Sequence, residues 1–185
     1  LPAVDKGHLP LEAWSNLYLF ASAAAATLVG LLFVVITLAA ERQPPGEWKR
    51  IRMYLTPTVV YFAVVLLLAG ALIIPTQSRL SAALCCCGVG AAGILYALSL
   101  LWGRPDGGRF RVRGDAWPYS ILPACAFCLL VDGGVTAYAS DPDTGLTMVS
   151  IAMLALLGLA LRNSWSIAVS VIWPPSGKGG AKSRD

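Results

Sequence analysis

The sequence predicts an all-α, polytopic transmembrane helix bundle of five spans, with the N-terminus outside and the C-terminus cytoplasmic. Three observations carry that expectation. Of 185 residues, 57% are hydrophobic and only 13% charged, against about 45–50% and about 25% in soluble domains. The apolar residues form long blocks instead of being scattered. The connections between blocks alternate between rich and poor in Lys and Arg. A disordered chain needs the opposite balance of charge and hydrophobicity, and β-barrel spans would read as short alternating segments.

A span takes about 20 helical residues to cross a hydrocarbon core about 30 Å thick. The first block, 17–40, carries no charge. It follows Asp5, Lys6 and Glu12, unlike the basic flank of a cleaved signal peptide, and is expected to be a retained helix. The second, 54–74, is also uncharged and has Pro57 in its first turn, where proline is tolerated. The third, 80–102, contains Gly88-Val89-Gly90-Ala91-Ala92-Gly93. That run matches a dinucleotide-binding pattern, but such a site needs the free N–H groups where a strand opens into a helix. Inside a span those groups are consumed, so the glycines read as close-packing residues, like Ala21, Ala25, Ala26 and Gly30 in the first span.

The fourth block, 116–139, has Pro118 and Pro123 near its start and Gly133-Gly134 near its end, a pattern that favours a kink. The fifth, 146–173, is interrupted at Arg162-Asn163-Ser164-Trp165-Ser166. It reads as one long tilted helix whose span ends near Arg162, with a broken span as the alternative. Residues 174–185 read as a flexible basic cytoplasmic tail. The whole chain is therefore one transmembrane domain.

Orientation follows from charge. The first and third connections and the tail hold 11 Lys and Arg; the N-terminal segment and the second and fourth connections hold 2, with Arg162 set aside. The positive-inside rule places the 11 in the cytoplasm. Trp14, Trp48, Trp102, Trp117, Trp165 and Trp173 all fall near span ends, where indole favours the interface. The net charge of +4 is thus an orientation signal and not a sign of nucleic-acid binding. Arg109-Phe110-Arg111-Val112-Arg113 suits anionic lipid headgroups.

Few residues offer chemistry. Cys85, Cys86, Cys87, Cys125 and Cys128 all lie in spans and read as small packing residues, with no disulfide framework. His8 is the single histidine and precedes the first span, so no cofactor or metal is expected. Asp141-Pro142-Asp143-Thr144-Gly145 lacks the later carboxylate of a calcium loop and reads as a turn capping the fifth helix. Asp132 and Arg162 are the ionisable residues inside spans, and such residues are functional candidates by default. Their depths differ by about 14 Å, too far for a direct pair. Arg162 is expected to reach inner headgroups or a carboxylate such as Glu41 or Asp115. Asp132, beside Gly133-Gly134, is a candidate intramembrane acid, or else ends a short helix near water.

Three stretches carry a resemblance. The run Ala24-Ala25-Ala26-Thr27-Leu28-Val29-Gly30-Leu31-Leu32-Phe33-Val34-Val35, preceded by Trp14 and Tyr18, is the first. Thr56-Pro57-Thr58-Val59-Val60-Tyr61-Phe62 and Arg162-Asn163-Ser164-Trp165-Ser166 are the others. Together they resemble an uncharacterised family of small multi-spanning bacterial inner-membrane proteins. In that family a histidine often stands where Tyr61 is here, and an aspartate where Ser166 is. The resemblance implies a shared five-span design and a focus on Thr56, Pro57, Arg162 and Asn163, and the two departures count against proton handling. Adding Thr58 and Tyr61, which the predicted topology places near the same face, yields an expected polar cluster of Thr56, Thr58, Tyr61, Arg162 and Asn163.

Functionally, these features favour a non-enzymatic interaction or structural component of the bacterial inner membrane. Its expected partners are the lipid bilayer and either a second copy or another membrane protein. A small oligomeric channel or transporter is the alternative. An enzyme is disfavoured because no acid, base, nucleophile and metal set converges in the sequence.

Overall fold

The computed structural model describes residues 11–42, 48–75, 77–102 and 121–172. They form five helices: α1 (Leu11–Arg42), α2 (Trp48–Leu72), α3 (Arg79–Trp102), α4 (Leu122–Ala139) and α5 (Pro142–Ile172). Each is long and apolar enough to cross a membrane. His8, Trp117, Pro118, Asp115, the arginines of the third connection and the tail 174–185 lie outside the described residues.

Helices and apolar blocks do not coincide, because a helix need not end where its apolar stretch does. In α1, Glu12 and Trp14 belong to the helix. The basic turn Trp48–Arg52 likewise opens α2, which corrects the expected place of Pro57: it lies inside the helix and not in the first turn. Pro57 has no N–H to donate to the Met53 carbonyl one turn back. Helices within membranes tolerate this where neighbouring groups re-satisfy the freed carbonyl.

α4 runs without interruption through Asp132-Gly133-Gly134 to Ala139. The alternative expectation, that Asp132 ends a short helix, is therefore overturned. α5 is also continuous across the polar run at 162–166. The hydroxyls of Ser164 and Ser166 donate to the carbonyls of Ala160 and Arg162, at 2.8 and 3.1 Å. Serine can satisfy itself against the preceding turn in this way, so a polar run need not break a helix.

Two short turns lie at one end of the bundle. At the α2–α3 turn, Ser78 and Ser81 cap each other. The Ser81 N–H donates to Ser78 Oγ at 3.1 Å, and the Ser78 N–H donates to Ser81 Oγ at 3.0 Å, a reciprocal box that satisfies two helix-start donors. At the α4–α5 turn, Asp141 is the cap. Its Oδ2 accepts from the Thr144 N–H at 3.2 Å and from the Thr144 hydroxyl, with Pro142 in the first helical position. This is the turn the sequence predicts there.

α5 is the central element, packing on α1, α2 and α4, while α3 packs mainly on α4. Half of the α5 span is buried, against 17% of the α1 span. Leu146, Val149, Ala152, Met153 and Leu156 meet Tyr18, Phe62, Val65, Phe127 and Leu130 in one core.

Glycines set the spacing of α3, α4 and α5. A Cβ on Gly90 would lie 2.5 Å from Val131 Cγ2, and one on Gly93 would enter the Phe127 ring. A Cβ on Gly134 would lie 2.8 Å from that of Cys86, and one on Gly145 would strike the Ala137 backbone. As residue numbers rise along α3 they fall along its contacts on α4, so the two helices are antiparallel, and the same holds for α4 and α5. Gly30 and Gly88 meet nothing within 4 Å. The small residues singled out by sequence thus divide: Gly90, Gly93, Ala21 and Ala25 pack inside the bundle, while Ala26, Gly30, Gly88, Ala91 and Ala92 face outward.

Candidate functional site

α4 has two chemically different faces. Ala126, Phe127, Leu130, Gly133, Gly134 and Ala137 point into the bundle. Cys125, Cys128, Asp132 and Val135 point away from it and are exposed. Eighteen residues make α4 about 27 Å long, and Asp132, seven residues before Ala139, lies about 10 Å along the axis from the short-turn end. That puts a carboxyl group on the outer surface of a helix suited to cross a membrane, too deep for its short side chain to reach either helix end.

The neighbouring outward polar groups show why this is unusual. Thr27, Thr37, Ser99 and Thr147 are exposed too, but each hydroxyl donates to a carbonyl three or four residues back, at 2.7–2.9 Å. A carboxylate cannot do this, because it only accepts, and the backbone N–H groups around it are used by the helix itself. Among the described residues Asp132 has no hydrogen bond or ion pair. A charged aspartate at mid-helix opposes membrane insertion by about 2.5–3.5 kcal/mol.

The expected polar cluster is distributed over two environments. α2 and α5 pack together. Thr58 is fully buried and Asn163 is 6% exposed, whereas Thr56 and Arg162 are exposed. Tyr61 is buried and turned toward Phe127 of α4, with ring centroids 6.1 Å apart and planes tilted by 59°, a favourable arrangement for two aromatic rings. Described side chains place Thr58 and Asn163 in the buried layer, Tyr61 against α4, and Thr56 and Arg162 at the surface. The side chain of Glu41 and all of Asp115, the suggested carboxylates for Arg162, fall outside the described set.

The cysteines are free thiols. Cys86 is buried, Cys85 and Cys87 are half-buried, and Cys125 and Cys128 are exposed. Cys87 Sγ lies 3.8 Å from the Val131 carbonyl as a weak donor. Among the described residues no group of three His, Cys, Asp or Glu side chains is arranged to hold a metal ion.

Two features were not singled out by sequence reasoning. The first is a buried polar contact between α1 and α5. Tyr18 is 1% exposed and Ser150 is 5% exposed, and they sit side by side. Ser150 donates to the Leu146 carbonyl at 2.8 Å, and among the described residues the Tyr18 hydroxyl has no partner within hydrogen-bond geometry. Nothing in the local pattern announces this contact, which depends on how α1 crosses α5. The second is the α4 outward face as a unit. Ile121, Cys125, Cys128, Asp132, Val135 and Ala139 are all exposed and follow each other at steps of four and three. That spacing was available in the sequence, but choosing the face required knowing which sides α3 and α5 occupy.

Comparison of the chain with family models, curated proteins and solved structures finds no match.

Proposed function

We propose that the chain is a multi-pass protein of the bacterial inner membrane that acts as an interaction or structural component, and that the outward face of α4 is where it meets its partner. The supporting observation is Asp132: an exposed carboxyl, without a partner among the described residues, about 10 Å along a membrane-length helix. Lipid tails offer it no donor, whereas a protein surface can. In this reading the N-terminus is outside and the C-terminus cytoplasmic, as the distribution of Lys and Arg favours. Asp132 then lies in the outer half of the membrane.

Mass measurement of the full chain in lipid nanodiscs tests the proposal. The wild type is expected as an assembly larger than one chain, and Asp132→Leu as a single chain. Single chains from both would contradict the reading.

A further inference from the structure

We propose that Tyr18 and Ser150 form a polar latch that holds α1 on the bundle: the Tyr18 hydroxyl donates to Ser150 Oγ, and loss of that bond frees α1 to shift against α5. The latch is separate from the outward face of α4 and does not rest on it.

α1 is the span with the least anchorage. Its buried share is 17%, against 33% to 50% for the other four spans. The side chains it buries are Tyr18, Ala21, Ala25 and Leu32. The two alanines bring α1 close without interlocking it, while Leu19, Phe20, Leu31, Phe33 and Val34 face outward. Within a membrane, lipid tails solvate apolar side chains about as well as a protein interior does, so apolar burial gives α1 little reason to stay. A hydrogen bond between helices is a contact that lipid tails cannot replace.

Tyr18 and Ser150 are placed to supply it. Tyr18 lies seven residues into α1 and Ser150 eight into α5, about 11 Å along each axis. Val149 and Met153, which flank Ser150 along α5, belong to the same core as Tyr18. A tyrosine on the outer surface near a span end would carry its hydroxyl to the headgroup water; Tyr18 is instead buried, and a buried hydroxyl is costly without a partner. Ser150 can accept. Its own hydrogen goes to the Leu146 carbonyl, which leaves a lone pair on Oγ. A small slide of α1 along α5 brings the two hydroxyls into bonding geometry, and Ala21 and Ala25 raise no ridge against it. Cys86 of α3 also lies near Tyr18, packed beside Gly134 of α4, but sulfur is the weaker acceptor.

The test uses the full chain in bicelles, as wild type, Tyr18→Phe, Ser150→Ala and the double variant. Unfolding by a denaturing detergent reads stability. Each single change is expected to lower the folding equilibrium constant by about 3- to 10-fold, and the double variant no further than the larger single. Ser150→Thr, which keeps the hydroxyl, is expected to retain the coupling to Tyr18. A Tyr18 hydroxyl without a bond gives the opposite sign, because Tyr18→Phe then removes a buried unsatisfied donor and raises stability. That result, or losses that simply add, would overturn the proposal. So would coupling of Tyr18→Phe to Cys86→Ala in place of Ser150→Ala.

A pair of spin labels reads the movement of α1. The native cysteines are replaced by alanine, labels are placed at Leu31→Cys on α1 and Leu154→Cys on α5, and labelled chains are diluted in unlabelled ones so that distances within one copy are read. A single narrow distance distribution is expected with the latch intact. Tyr18→Phe and Ser150→Ala are each expected to widen it, and to the same extent. A distribution that neither variant changes would overturn the latch.

Discussion

The two faces of α4 teach different lessons about one helix. Its inner face is specified by shape: Gly133 and Gly134 let α5 and α3 approach so closely that added Cβ atoms would sit 2.8–3.0 Å from neighbouring atoms. Its outer face is specified by chemistry, with Cys125, Cys128 and Asp132 exposed in one stripe. Lipid accepts apolar side chains of almost any shape, so shape restricts only the inner face. Lipid does not accept an unpaired carboxylate, so Asp132 restricts only the outer one.

Substitutions can break this comparison from either side. The largest expected effect is at Asp132: Asp132→Leu should favour insertion of α4 by about 3 kcal/mol, read in a membrane-insertion assay, while removing the assembly expected in nanodiscs. Gly145→Ala comes next. The new methyl group meets the Ala137 backbone, which cannot move aside as a side chain can, and overpacking of this kind costs about 2 kcal/mol in denaturant unfolding of the reconstituted protein. Gly88→Ala is smaller and of opposite sign. Gly88 has open space around it, so the helix should gain about 0.5 kcal/mol from the better helix former. Equal losses at Gly145 and Gly88 would erase the distinction between the packed and open glycines.

The smallest effect belongs to the exposed turn between α4 and α5. The hydrogen bond from the Thr144 hydroxyl, and then that from its backbone N–H, hold the Asp141 carboxyl below its ordinary value of 3.8. A group lowered in this way lends its stability fully above the ordinary value and loses it as pH falls through the lower folded one. Amide exchange at the start of α5 should therefore quicken only in that acidic window. Asp141→Asn should abolish the acid response.

Much of this architecture was legible in the sequence, for a simple reason. Blocks of about 20 apolar residues have no other stable destination, and the five helices are where the blocks are. Their ends were less legible, because Trp48–Arg52 continues α2 past the apolar block and moves Pro57 into the interior. The site was legible only in its parts. Asp132 drew notice as an ionisable residue in a span, and Cys125 and Cys128 only as small packing residues in the same span. Which face of α4 turns outward depends on contacts between residues far apart in the chain, such as Gly93 with Phe127 and Gly145 with Ala137. The same applies to the polar positions on α2 and α5. Two residues in sequence separate exposed Thr56 from buried Thr58, and one separates exposed Arg162 from buried Asn163, and burial follows from the helix packing.

The most direct test of whether protein covers the outward face of α4 is oxygen accessibility in a bilayer. A small trifluoromethyl tag is placed on Cys128, and for comparison on Leu154→Cys of α5. Leu154 is 42% exposed, and the Gly145–Ala137 contact puts it near the depth of Cys128. Dissolved oxygen concentrates in the hydrocarbon and broadens the fluorine resonance of any tag that lipid reaches. The tag on Cys128 is expected to be shielded and the tag on Leu154→Cys broadened. Equal broadening of the two would mean that lipid reaches the α4 face, and would contradict the account.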